Sequence, residues 1–214
     1  MIAKTILQLL VVSCLLTMGP GCSELIRDLG PGPDRVPESI TVNVNLAGPT
    51  LSTQQNSLWC WAASIANLFA YYGHPVSQAR IVSEVYGAPV NMRSGDYSNL
   101  ARLLNRSWRD DRNQPFTVTL NAALDVPNGV NTITNDQIRD ALRANMPLVV
   151  GTTQHAMLVV GMTYTEVDGH VDVVHAVRVF DPWPGMGLRT LSPSEMTSQT
   201  RGGSLLFIAL ARVS

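Results

Sequence analysis

The chain has 214 residues, 45% hydrophobic and 14% charged, with a formal net charge of −1. No basic run is present, which excludes the electrostatic footprint of a nucleic-acid binder. Lys4 is the only lysine, so a chain shorn of its N-terminus has no lysine nucleophile, Schiff base or Ser–Lys dyad.

Residues 1–22 carry one charge, Lys4, and an apolar run from Ile6 to Met18. That run is shorter than the roughly 20 residues of a membrane span. A basic start, a short apolar stretch and then small residues form a secretory signal. The segment Leu16-Thr-Met-Gly-Pro-Gly-Cys22-Ser23 resembles a bacterial lipoprotein signal, which implies lipidation of Cys22 as the mature first residue. Ordinary signal cleavage and a retained anchor are the alternatives. Loss of residues 1–22 removes Lys4 and no acid, leaving 14 basic against 16 acidic residues, a net charge of −2. Residues 23–37, with Gly30-Pro-Gly-Pro33, have no hydrophobic period and read as a tether. The expected location is a cell-envelope lipoprotein, periplasmic or on the cell surface, and otherwise a secreted protein. Residues 38–214 are one domain's worth of chain, able to bury a substantial core.

Within that domain, Ile40 to Leu46 alternates apolar and polar and predicts a strand. A polar loop leads to a helix from Leu58 to Tyr72, with Ser57 or Asn56 as cap and Gly73 as C′ glycine. The helix is apolar nearly all round and should be buried. A second helix opens at Pro75-Val-Ser77 and closes at Tyr86-Gly87, and a third spans Ser98 to Arg106. Thr134-Asn-Asp-Gln137 has capping-box form and starts a fourth over Asp136–Asn145, stopped before Pro147. Val-rich runs at Leu148–Thr152, His155–Tyr164 and Val171–Phe180, then Ser204–Val213, predict strands. The order is a helical first half and an antiparallel second half, an α+β fold.

Cys60 ends the polar string Gln54-Gln-Asn-Ser-Leu-Trp-Cys60 at the start of the apolar helix. The only other cysteines, Cys14 and Cys22, lie in the signal region. A thiol at a helix N-terminus meets unpaired N–H groups and the positive end of the dipole, and both favour the thiolate. Acyl transfer by such a thiolate needs a base, a group orienting the base and oxyanion donors. His155 stands at a strand start, and Asp181 ends the next strand in Val179-Phe-Asp181-Pro-Trp-Pro. A hairpin places the start of one strand beside the end of the next, so His155 and Asp181 should share one sheet edge. Gln54, six residues before Cys60, can bring its amide to the site reached by the Cys60 N–H.

These residues resemble the papain-like cysteine proteases. They are closest to the bacterial branch with the avirulence effector proteases of plant pathogens and relatives of the bacteriocin-processing peptidases. Gln54, the Cys60-Trp-Ala-Ala helix start, His155-Ala-Met-Leu-Val-Val-Gly161 and Phe180-Asp-Pro-Trp183 carry the resemblance, which spans residues 45–212. It implies Cys60 as nucleophile, His155 as base and acid, Asp181 as orienter and Gln54 as oxyanion donor. It also implies a buried central helix packed on a C-terminal antiparallel sheet. No cysteine is paired just before the nucleophile, Asp rather than Asn is the third member, and Gln154 precedes the histidine where a glycine is common.

The expected activity is peptide-bond hydrolysis through a thioester, on a protein or peptide substrate, by a monomer without cofactor. Cleavage of isopeptide or cell-wall peptide bonds, acyl transfer to an amine, and a tethered binding module with an idle thiol are the rivals. Cys60 is otherwise a buried, inert core cysteine or half of an intermolecular disulfide. His175, mid-strand on the same face as Val173 and Val177, reads first as a packed or edge histidine and is the second choice of base; His74 and His170 read as solvated turn residues. Asp181 before Pro182 fits an ordinary turn, and Gln55 competes with Gln54. Asp110-Asp111 reads as a solvated charge cluster. No zinc-ligand spacing exists, and Gly185-Met-Gly187 reads as a turn rather than a phosphate loop.

Overall fold

The computed structural model describes residues 38–48 and 50–214. Residues 1–22, expected to be a signal ending at Cys22, and residues 23–37, expected to be a tether, lie outside the described residues. In chain order the elements are β1 (Ile40–Asn43), α1 (Cys60–Tyr71), α2 (Gln78–Tyr86), α3 (Tyr97–Leu103), β2 (Arg106–Arg109), β3 (Pro115–Asp125), β4 (Val130–Asn131) and α4 (Asn135–Arg143). They continue with β5 (Leu148–Thr152), β6 (Ala156–Val167), β7 (His170–Asp181), β8 (Gly187–Thr190), the short α5 (Pro193–Met196), a 3₁₀ turn at Gln199–Arg201, and β9 (Leu205–Val213).

One antiparallel sheet organises the chain in the order β2-β3-β9-β5-β6-β7-β8, with β4 flanking β3 and β1 paired to β6. β5 pairs with β6 from Ala156 to Val159, and β1 takes over from Gly161 to Tyr164, so β1 continues the line of β5. Gly161 permits this junction. A Cβ there would lie 2.1 Å from Asn43 Oδ1 and 3.0 Å from the Val42 carbonyl oxygen.

The α+β reading holds, but strands are not confined to the second half of the chain. β2, β3, β4 and β8 went unforeseen, and the predicted third helix ends early because Arg106 already belongs to β2. β3 does alternate from Phe116 to Leu120, but a register shift between Leu120 and Ala122 breaks its period of two. β8 is only four residues long. The first predicted strand stops at Asn43 rather than Leu46.

Helix α1 lies on the sheet with Ala62, Ala63, Ile65, Leu68 and Phe69 buried. Phe69 meets Trp108 of β2 and Phe116 of β3 edge-on, with ring centroids 5.3 and 5.2 Å apart. This aromatic cluster fixes the C-terminal half of the helix. Gly73 (φ 81°) then closes it as expected, donating to the Ala70 carbonyl. The other predicted caps form as well, at Ser77, Gly87 and the Thr134–Gln137 box.

The N-terminus of α1 differs from expectation. The helix starts at Cys60, two residues after the predicted Leu58, and its cap residue Trp59 makes no side-chain cap bond. Ser57 and Asn56 are occupied elsewhere: Ser57 Oγ accepts from Asn91 Nδ2, and the Asn56 carbonyl accepts from the Trp59 N–H.

Two more readings are corrected here. The Asp110 side chain is fully buried, and its Oδ1 accepts from the backbone N–H groups of Arg112 and Gln114, both at 2.9 Å. The β2–β3 turn is therefore built on Asp110, while Asp111 beside it stays exposed near Arg80. His74 is a packed residue, stacked on Phe116 at 4.5 Å and 3.4 Å from Asp110 Oδ2. Both errors share one cause, the unforeseen β3 that covers the pair. Asp110→Ala should lower the chemical-denaturation midpoint clearly, because two turn N–H groups lose their acceptor. Asp111→Ala should leave it in place, and equal midpoints for the two variants would mean the cluster is solvated after all.

Candidate active site

Cys60 opens α1, and the two tryptophans beside it are buried and pinned. Trp59 Nε1 donates to the Val90 carbonyl at 2.9 Å, and Trp61 Nε1 to that of Met92 at 3.1 Å. Asn91 Oδ1 accepts from the Leu58 N–H at 3.0 Å. The helix start and the loop after α2 thus hold each other. With no side chain capping the helix, its first N–H groups are left to the thiol, and the N–H of Trp61 is directed to it.

The register of β6 and β7 brings the other groups to this end. Leu158 pairs with Phe180, so His155, one residue before β6, stands beside Asp181, the last residue of β7. His155 is held by the tight β5–β6 turn, where its N–H and carbonyl both meet Thr152. Its Nε2 lies 2.5 Å from Asp181 Oδ1, and its ring also bonds the Cys60 thiol, which by elimination employs Nδ1. Trp183 stands edge-on to the imidazole, centroids 6.2 Å apart.

The Asp181 side chain is 3% exposed, and two more groups fix it. The Trp183 N–H donates to Oδ1 at 2.9 Å, and Arg189 Nε to Oδ2 at 2.7 Å. The far end of Arg189 forks onto Glu195 at 2.7 and 3.0 Å. The turn-residue reading of Asp181 is half right, since it does cap the turn at Trp183 while also facing His155.

These contacts set the charges. Burial raises the Cys60 pKa most strongly, but the bond and charge of His155 and the N–H groups of Ala156 and Trp61 outweigh it and lower the thiol. Burial likewise opposes a charged His155, yet Asp181 and Cys60 push it up to about 9. Asp181 falls to about 2 against its own burial, through His155, Arg189 and the Trp183 N–H. All three shifts favour the charged thiolate–imidazolium pair over the neutral one.

Cys60 and His155 face a cleft of about 530 Å³, whose walls include Leu58, Trp61, Arg93, Tyr97, Gln154 and Trp183. The Tyr97 hydroxyl donates to the Thr152 carbonyl at 2.9 Å and ties one wall to the β5–β6 turn. Among the described residues no group of His, Cys, Asp and Glu has the form of a metal site.

Gln54 is buried next to this centre, its N–H donating to the Pro182 carbonyl at 2.7 Å, whereas Gln55 is exposed. Its amide points differently from expectation. Nε2 donates to the carbonyls of Asn56 and Ser57 at 2.9 and 3.0 Å, and Oε1 is buried without a partner. Both amide protons are thus engaged by the loop, and none is presented to the cleft. Reversing the amide would set an acceptor against two acceptors. His175 lies exposed on β7, and the second choice of base falls away. His170 is exposed, as expected, but it opens β7 instead of sitting in the turn, and it lies 2.8 Å from Asp136.

The sequence reading passed over Arg189, Glu195, Asn67 and Gln78. Gln78 brackets Gln54 by accepting from the Gln55 N–H and donating to the Thr53 carbonyl, both at 2.9 Å, and Asn67 binds the backbone of Ser52. A signal existed for Glu195 alone, since Ser192-Pro-Ser-Glu195 is a capping-box string, and the box is formed.

No curated protein sequence matches the chain. Among solved structures it is similar to the peptidase domain of Streptococcus ComA, a bifunctional ABC transporter involved in quorum sensing. That match has 13% identity and a TM-score of 0.43, over 78% of this chain and 98% of that one. A double-glycine-motif protease from an AMS/PCAT transporter, solved with its leader peptide, matches at 13% identity and TM-score 0.41, over 81% and 99%. UfSP from C. elegans matches at 16% identity and TM-score 0.46, over 83% of this chain and 34% of that one. The model of the Peptidase_C39 like family matches residues 50–197. That span holds Cys60, His155 and Asp181 and most of the chain: the protein belongs to the Peptidase_C39 like family, and with it to the papain-like cysteine peptidases.

Proposed function

We propose that the protein is an exported, lipid-anchored cysteine peptidase that hydrolyses peptide bonds through Cys60, His155 and Asp181. The observation that carries this reading is the convergence of the three side chains at one sheet edge, facing an open cleft, with burial and partners that favour the ion pair. The Cys60 thiolate attacks a substrate carbonyl, and the Cys60 N–H at the uncapped helix start stabilises the oxyanion. Gln54 supplies a second donor once substrate draws one amide proton away from the Asn56 or Ser57 carbonyl. His155, already protonated, gives its proton to the leaving amine and then activates water against the thioester. Asp181 keeps the imidazole in the tautomer and orientation that both steps need. Export and the anchor rest on the signal-like segment 1–22 and on Cys22.

Three outcomes test this reading. In the full-length protein, iodoacetamide should label the Cys60-containing peptide rapidly at pH 6, as judged by mass spectrometry, and His155→Ala should abolish the advantage. A single titration near the ordinary thiol value in both proteins would mean no activated nucleophile. Cys60→Ala should eliminate cleavage across a peptide library while the circular dichroism stays unchanged; retained cleavage would sink the proposal. Conjugates formed with an added amine would instead indicate acyl transfer. For the anchor, Cys22→Ser should release the chain from the membrane fraction and end incorporation of labelled fatty acid.

A further inference from the structure

We propose that Arg189, braced by Glu195, is a positioning residue that grips one carboxylate oxygen of Asp181 so that the other is presented to His155. The inference rests on reading Cys60, His155 and Asp181 as the reacting group. Asp181 is buried, and its two oxygens have different tasks. Oδ1 accepts from His155 Nε2 and from the Trp183 N–H; Oδ2 meets Arg189 Nε at 2.7 Å. Without Arg189 the buried Oδ2 loses that donor, and the carboxylate can turn about its terminal torsion or take up a proton. Either change withdraws Oδ1 from the imidazole.

Arg189 is itself immobilised. Its Nη1 and Nη2 atoms bind the two oxygens of Glu195 at 3.0 and 2.7 Å, and Nη2 also lies 3.0 Å from Met157 Sδ. A planar guanidinium suits this role because it bonds two carboxylates at once in fixed directions. Glu195 is anchored in turn, since its Oε2 accepts from the Ser192 N–H at 2.8 Å in the α5 capping box. The orientation of His155 is thereby tied to the four-residue helix α5. Around Asp181 and His155 the charged groups are Cys60 from α1, Arg189 from β8, Glu195 from α5 and Arg93 on the cleft wall. Arg189 is the one of them that touches Oδ2.

The test is a double-mutant cycle read by the rate of Cys60 alkylation with iodoacetamide at pH 6, in full-length wild type, Arg189→Met, Asp181→Asn and the double variant. Each single variant should slow labelling by about tenfold, the effect of one pKa unit. The double variant should be no slower than Asp181→Asn, because Arg189 acts through that carboxylate. Glu195→Gln, which keeps an acceptor for the α5 cap, should give a smaller loss, and it replaces Arg189→Met in the cycle if that variant fails to fold. Unchanged labelling in Arg189→Met, or a double variant slowed by the product of the single effects, would overturn the proposal. Slow labelling in the wild type itself would instead sink the triad reading, so the two failures are distinguishable.

Discussion

A carboxylate at 3% exposure survives as an anion only if donors replace the water it has lost, and Asp181 has three of them. Each donor comes from a different part of the chain: the β5–β6 turn, the turn after β7, and β8. Satisfying Asp181 therefore fixes the relative position of three segments of the sheet edge. The imidazole receives its orientation from that arrangement, and the thiol its partner. A hydrophobic residue of similar size at position 181 would pack as well, but it would leave His155 undirected.

The start of α1 shows the opposite economy. A side-chain cap there would stabilise the helix by about 1 kcal/mol, and the chain forgoes it. In that uncapped first turn the N–H of Trp61 is directed at the thiol. Order at this terminus comes instead from the buried Trp59 and Trp61, whose indoles hold the loop at Val90 and Met92. Large apolar side chains with one directional N–H each thus replace a polar cap, and they fix a cleft wall while doing so.

The three residues that converge at the candidate site were legible because each sits at a boundary with a strong local signal: Cys60 where polar loop becomes apolar helix, His155 and Asp181 at the ends of Val-rich strands. Hairpin geometry then brought the last two together without any knowledge of the sheet order. β3 was not legible, because its bulge near Leu120 interrupts the alternation that marks a strand. That one omission also misplaced Asp110 and His74, whose burial depends on β3. The amide of Gln54 was misread for a different reason. Sequence position shows that it is near Cys60, but the direction of its N–H groups is decided by two carbonyls of its own loop. Arg189 carries no periodic or motif signal, and only the closure of β7 on β8 reveals its contact with Asp181.

Charge linkage explains why these buried ions are compatible with a stable fold. His155 rises from 6.5 to about 9, so its charge stabilises the folded state fully below pH 6.5, and this is lost as pH rises through about 9. Asp181 falls from 3.8 to about 2; its contribution is present above 3.8 and lost as pH falls through about 2. The lowered Cys60 follows the sign of Asp181, its thiolate being favoured by folding only above its own depressed value. Around neutrality the imidazolium and the carboxylate are both charged in the folded chain, and the imidazolium favours the thiolate beside it. Arginine is the suitable closing member of such a set, because it stays protonated throughout that range. Lysine occurs in this sequence only at Lys4, and of the buried aspartates among the described residues Asp181 and Asp110 each take one arginine bond, from Arg189 Nε and Arg112 Nη2, whereas Asp125 is met by Asn128.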